Sequence, residues 1–284
     1  MIKSLLLKQQ VLMANKGKIK IKRPKKWLYP MGAERSYQNE LLAINKLFYD
    51  QVKQIIIPEL NSLVYQSKLL RPDSINSRFD SLWVDRLKEL IDKSYITFQS
   101  IITLNKISNI TIEQAGKISL MNKEQFIKVI HSSLSVNPII QEPYLQTQLK
   151  LFQNQNTNLI TKLGSDQKER IQQILYSNLS QGNSIEKIEE ELKKSEEIGE
   201  NRARLIARDQ TNKFNGQLTQ LRQQELGITS YIWTTSKDER VRPTHRVLDG
   251  KTFTWEKGSK IGHPGQEIKC RCIAQPIIID SMFD

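Results

Sequence analysis

Between Asn201 and Thr235 the spacing of apolar residues changes, and this restricts the fold more than any other feature of the chain. Ala203, Ile206, Ala207, Phe214, Leu218 and Leu221 recur at intervals that put them on one side of a long helix. Gly227 stands where such a helix ends in a left-handed residue. The period then falls to two: Ser230-Tyr231-Ile232-Trp233-Thr234-Thr235 is a run of strong β-formers. Asp249-Gly250, between Arg246-Val247-Leu248 and Thr252-Phe253-Thr254-Trp255, signals a two-residue hairpin. Gly258, Gly262, Pro264 and Gly265 mark a second loop, and a last strand is expected through Lys269–Ala274. The pattern predicts an α+β module: one long helix packed on a small antiparallel sheet, with Trp233 and Trp255 in its core or rim.

Upstream the period is helical almost throughout. Leu41, Leu42, Ile44, Leu47, Phe48, Val52, Ile55 and Ile56 give one apolar face within residues 34–66, and Pro58 is expected to kink or restart that helix. Arg71-Pro72-Asp73-Ser74 reads as a break. Residues 75–105 read as helix again, and the β-branched stretch Ile101–Gln114 fits either helix or strand. Shorter helices are expected over Met121–Leu134, over Tyr144–Thr161 with Gly164 as terminator, around Ile171–Leu179, and from Asn183-Ser184-Ile185-Glu186 onward. The division expected is a basic extended arm (1–33), a helical region (34–182) and the α+β module (183–284).

Of the 284 residues, 43 are Lys or Arg and 30 are Asp or Glu, a net charge of +13. That balance favours a polyanionic partner. Residues 1–33 contain no Asp or Glu, and Lys16, Lys18, Lys20, Lys22, Arg23, Lys25 and Lys26 crowd one short stretch. Two readings stand: an arm lying along the phosphates of double-stranded DNA without sequence preference, or a solvated tail that orders against a neighbouring subunit. On the first, removing residues 1–33 weakens DNA binding and leaves the C-terminal module folded. No secretory leader and no apolar run of about 18 residues is seen, so a soluble chain that starts in a reducing cytoplasm is expected.

The two cysteines, Cys270 and Cys272, are too few for a disulfide scaffold, and a bridge across one residue would be strained. Together with His245 and His263 they could make a tetrahedral zinc set, both cysteines facing one side if they lie on a strand. Equally, both thiols could pack in the small core while His245 bonds across its loop. Asp238, Glu239, His245 and Asp249 could be drawn as a nuclease-like site, though ion pairs with Arg240, Arg242 and Arg246 explain the carboxylates as well. No Walker loop, H-E-x-x-H or G-x-S-x-G sequence occurs.

These pieces occur in a definite order: Ala207-Arg208-Asp209 with Thr211-Asn212 on an Arg-rich helix; Tyr231-Ile232-Trp233; Thr235 to Arg242 with Asp238 and Arg240; His245; Leu248-Asp249-Gly250; Pro264-Gly265; and Cys270-Arg271-Cys272. In that order they resemble the Mu F-like phage head morphogenesis domain, from about Asn201 to Ile279. The resemblance implies a minor head protein rather than an enzyme: low in copy, inside the virion near the portal protein, acting in head assembly, genome packaging or ejection. It also implies non-specific DNA contact and scaffold or capsid proteins as further partners, after assembly in the host cytoplasm. It assigns no metal to His245 or the cysteines. The competing reading is a metal-dependent nuclease or toxin-like enzyme built on the same module.

Overall fold

The structure, a computed structural model, describes residues 2–18, 20–69 and 82–278. The expected break at Arg71–Ser74 lies outside the described residues. Helices α1 (Ile2–Ala14), α2 (Met31–Ile55), α3 (Leu60–Leu69), α4 (Leu82–Ile101), α5 (Leu104–Leu134), α6 (Leu145–Gln181) and α7 (Ile185–Glu225) precede β1 (Ser230–Thr234), a short α8 (Pro243–Arg246), β2 (Thr252–Thr254) and β3 (Ile273–Pro276). The fold is α+β: helical through its first two-thirds, with the sheet following the longest helix. Among the described residues no helix is long and apolar enough to cross a membrane.

Three helices are longer than the sequence suggested. The β-branched stretch after Ile101 is helical and continuous with the segment expected over Met121–Leu134. Ile107, Thr111, Ala115 and Ile118 are buried at steps of three and four, so burial of one face overrides local β-propensity. Helix α6 passes through Gly164 without ending. A Cβ there would lie 3.0 Å from the Phe98 ring, so this glycine admits a close neighbour rather than capping a helix. Helix α7 joins the two helices expected on either side of residue 200; its 41 residues contain no proline. Elsewhere the signals hold: Pro58 sits in a 3-10 turn, Ile57–Glu59, that restarts the chain as α3.

The chain divides into two units that are not consecutive in sequence, unlike the expected three-part order. One comprises Tyr37–Thr111 and Asn154–Ala207. In its core Tyr95 stacks on Phe98 and Phe48 meets both rings edge-on, with Leu41, Leu90, Leu163 and Leu175 buried in the same unit. Its buried polar groups are paired, as burial requires: Tyr37 Oη donates to Asn156 Oδ1 (2.8 Å), and Tyr49 Oη bonds Ser195 Oγ (2.8 Å).

The other unit comprises Met1–Ser36, Ile112–Gln153 and Arg208–Asp284. Its sheet is antiparallel with β1 central, in the order β2-β1-β3; Tyr231 faces Phe253 and Pro276, and Trp233 faces Ala274. Helix α7 stops as its glycine requires. Gly227 has φ +79°, its N–H donates to Gln224 O (3.0 Å), and Ile228 N donates to Gln223 O (2.9 Å), the paired bonds of a Schellman end. Gln223 then joins helix to sheet, donating to Ala274 O (2.8 Å) and accepting from Trp255 Nε1 (3.0 Å). Trp233 and Trp255 lie in the sheet core with Tyr231, Cys270, Cys272 and Ala274.

Two sheet expectations are corrected. Asp249-Gly250 is not a two-residue hairpin turn, because Arg246-Val247-Leu248 belongs to α8 and the turn after it rather than to a strand. Pro243 at the first helical position favours that helix. Gly250, at φ +77°, instead guides the chain into β2, its N–H donating to Trp233 O (2.8 Å). The last strand begins at Ile273, so Cys270 and Cys272 lie just before it.

The first 33 residues also differ from a uniformly extended arm. Residues 2–14 are helical, because the basic charge is concentrated from Lys16 onward. Leu7 and Val11, one turn apart, are buried with Trp27, Phe126, Ile130, Leu226, Ile228 and Ile273. Lys16 (φ +53°) and Gly17 (φ +79°) close α1 and release the chain into its basic stretch.

Candidate functional site

Three elements converge beside the sheet. Strand β1 supplies Trp233, α8 supplies His245, and the turn before β3 supplies Cys270 and Cys272. His245 Nδ1 lies 3.3 Å from Cys272 Sγ and 3.6 Å from Cys270 Sγ. All three residues are buried. On the far side of the ring His245 Nε2 meets Glu267 Oε2 at 2.6 Å. Arg242 holds that carboxylate from Nη1 (2.6 Å) and donates to Ile268 O from Nη2. The Trp233 and His245 rings meet edge to face, with centroids 5.6 Å apart.

The two thiols are unequal. The Cys272 thiol donates to Cys270, and backbone N–H groups of Gly265 and Cys272 add to this, so the Cys270 thiol falls to about 6 despite burial. The same hydrogen bond and burial push Cys272 up. Cys270 is therefore the thiol that ionises first. Glu267 is held below the usual carboxylate range, first by the hydrogen bond from His245 and then by the Arg242 charge.

A cavity of about 230 Å³ opens onto these ligand atoms, and Arg208, Arg240, Arg242, Lys269 and Arg271 line it. Glu34 tempers that charge: its Oε1 accepts from Arg208 Nε (3.3 Å) and Arg271 Nη2 (3.1 Å), and the Arg271 guanidinium also lies over the Tyr29 ring.

The structure brings together three of the four residues expected as a zinc set. His263 stands apart: its Nδ1 bonds Tyr231 Oη (2.9 Å), its ring packs against Trp255, and burial lowers its basicity. Of the nuclease-like grouping, Asp238 and His245 line the same cavity, and each carboxylate has a local partner. Asp238 Oδ1 accepts from Arg240 N (3.1 Å), Glu239 is exposed beside Arg240, and Asp249 Oδ1 takes both N–H and hydroxyl of Thr235 (2.8 and 3.0 Å). Asp249 and Gly250 thus tie the loop back to β1. Pro264-Gly265 lies on α7, where Gly216 has no side chain to obstruct it. Glu267 and Glu34 were not singled out from sequence. Their roles depend on contacts to residues 22 and 237 positions away, which no local pattern reports.

The basic stretch is strapped down rather than free. Lys22 N donates to Ser133 O (2.9 Å) and Ser133 Oγ to Lys22 O (2.8 Å). Lys25 N donates to Ser132 Oγ (2.8 Å), and Gln275 bridges Lys25 O and Trp27 N (3.0 and 2.7 Å). Trp27 is buried against Phe126. The side chains of Lys16, Lys18, Lys20, Lys22, Arg23, Lys25 and Lys26 are exposed, while the anchoring at Lys22, Lys25 and Trp27 is made by backbone groups.

Over 124 residues the chain is 35% identical to an uncharacterized protein of Haemophilus influenzae, covering 43% of this chain and 28% of the relative. The chain thus spans less than a third of that relative's length. No solved structure matches it. Residues 169–275, which carry the end of α6, all of α7, β1, β2, β3 up to Gln275 and the His-Cys-Cys cluster, match the family model of the phage Mu protein F like proteins.

Proposed function

We propose that this is a phage head morphogenesis protein: a minor head protein of the virion that docks on the portal and touches the packaged DNA without reading its sequence. The match of residues 169–275 to the Mu F-like family carries the reading. The exposed Lys16, Lys18, Lys20, Lys22, Arg23, Lys25 and Lys26 support the DNA part, because charges beside the anchored backbone of Lys22 and Lys25 neutralise phosphates at a lower ordering cost than a free tail. Its role is structural rather than catalytic, and scaffold or capsid proteins are its further neighbours during assembly in the host cytoplasm.

The test is co-purification of the full chain with the portal protein from assembled heads after nuclease treatment. Retention on the portal is the expected result. Loss of the protein together with the DNA would move the reading to an internal DNA-bound protein. Absence from heads would overturn it.

A further inference from the structure

We propose that His245, Cys270 and Cys272 bind one divalent transition-metal ion of the zinc class, with a fourth coordination position open to the adjoining cavity. Their ligand atoms all lie within 4.8 Å of one another, and all three residues are buried. Zinc bonds of about 2.3 Å to sulfur and about 2.05 Å to nitrogen set those atoms roughly 3.6 Å apart at the tetrahedral angle. The observed nitrogen–sulfur separations are 3.3 and 3.6 Å.

The surroundings favour a cation at the centre. With Nε2–H given to Glu267, His245 Nδ1 carries a single lone pair. Two sulfurs converge on that one lone pair, and a shared metal ion satisfies all three atoms at once. The Glu267–His245 pair is the carboxylate–imidazole arrangement that orients metal-bound histidines, and Arg242 fixes the carboxylate in turn. Cys272 N–H points at Cys270 Sγ (3.3 Å), an arrangement that supports a thiolate. Two thiolates and an imidazole select soft or borderline ions over magnesium and calcium.

Binding forms two metal–sulfur bonds and one metal–nitrogen bond; both sulfurs bind as thiolates, so the Cys272 proton, and the Cys270 proton where that thiol is still protonated, leave to solvent. A divalent ion with two thiolates carries no net charge, so the arginines lining the cavity do not oppose it. Water or an anion from the cavity completes the tetrahedron. The ion would clamp α8 to the turn before β3.

The experiment is a cobalt(II) titration of the reduced, chelator-dialysed full chain. A thiolate-to-cobalt charge-transfer band and intense tetrahedral d–d bands should saturate at one equivalent and vanish on adding zinc. Cys270→Ser and Cys272→Ser should each abolish the charge-transfer intensity seen at one equivalent. His263→Asn should keep full stoichiometry. Glu267→Gln should weaken cobalt affinity about 10- to 100-fold, the usual cost of losing such a partner.

Absence of any charge-transfer band in protein with native circular dichroism would overturn the site. Loss of cobalt on His263→Asn would overturn the three-ligand set. Should the cysteine variants fail to fold, the wild-type titration and the Glu267→Gln and His263→Asn variants still decide the question.

Discussion

Arg222 donates from Nε to Glu142 Oε1 at 2.8 Å although the guanidinium is fully buried. Ser119 accepts from the same guanidinium through its carbonyl (3.1 Å) and hydroxyl (3.0 Å), and Asn122 Oδ1 completes the set. Lys123 pairs with the other carboxylate oxygen. A buried ion pair is weak evidence of net stabilisation, but removing one partner strands the other. Arg222→Met should therefore destabilise the protein by about 3–5 kcal/mol, read as a fall in the urea midpoint. A change under about 1 kcal/mol would show that Lys123 alone satisfies Glu142.

The same carboxylate makes stability depend on acid. Burial alone would raise Glu142, but hydrogen bonds and charge from Lys123 and Arg222 prevail and hold it below the ordinary carboxylate value. A depressed folded value means the stabilisation is complete above the unfolded pKa, about 4.3, and is lost as pH falls through the folded one. Urea midpoints measured from pH 6 downward should fall more steeply for wild type than for Glu142→Gln, whose amide has no proton to take up. Parallel curves would assign acid sensitivity to other carboxylates.

Gly216 should resist alanine for a reason opposite to helix propensity. In an exposed helix Gly→Ala stabilises by about 1 kcal/mol. Here the added Cβ would fall 2.7 Å from Pro264 O, and the obstruction is backbone rather than a movable side chain. Gly265, at φ +97°, is packed as closely from the other side: a Cβ on it would lie 3.0 Å from Asn212 O and 3.3 Å from Gly216 Cα. Gly216→Ala should lower the thermal midpoint, whereas Gly116→Ala, which meets nothing within 4 Å, should raise it.

Residues 1–33 should prove indispensable for folding, contrary to what their composition suggests. Trp27 is buried beside Phe126 and shares a cluster with Leu226, Ile228 and Ile273. Trp27→Ala should cost about 3–5 kcal/mol, typical of large-to-small changes at buried aromatics. Limited proteolysis should then cut within the C-terminal module as well as near the substitution. An unchanged digestion pattern would mean the sheet holds without Trp27.

The sequence made the local features legible and concealed those set by distant packing. Tyr231-Ile232-Trp233 reads as a strand because β-formers alternate there, and Gly227 reads as a helix end because only it can take φ +79° without strain. Gly164 misled: as a residue that breaks helices it reads as a terminus, yet the nearby Phe98 ring accounts for it. Asp249-Gly250 misled in the same way, since the residues before it form α8. Cys270, Cys272 and His245 could be nominated from ligand chemistry alone. His263 could not be rejected without knowing that its loop turns it toward Tyr231, and Glu267 carries no signal beyond being a carboxylate.

The basic row offers a separation of charge from fold that truncation cannot give. Lys18, Lys20, Lys22 and Lys25 are exposed, and the hydrogen bonds of Lys22 and Lys25 to Ser133, Ser132 and Gln275 are made by their backbones. Replacing all four lysines by Gln removes charge and leaves that strapping in place, so circular dichroism and thermal midpoint should stay at wild-type values. Each phosphate contact on duplex DNA contributes about 0.9 to the slope of log affinity against log salt. If all four touch phosphate, the quadruple variant should bind weakly and its slope should fall by roughly 3–4. Affinity falling without a change of slope would mean that the lysines touch something other than phosphate. An unchanged affinity would place the DNA-facing charge elsewhere, with the arginines around the His245 cavity the next to neutralise.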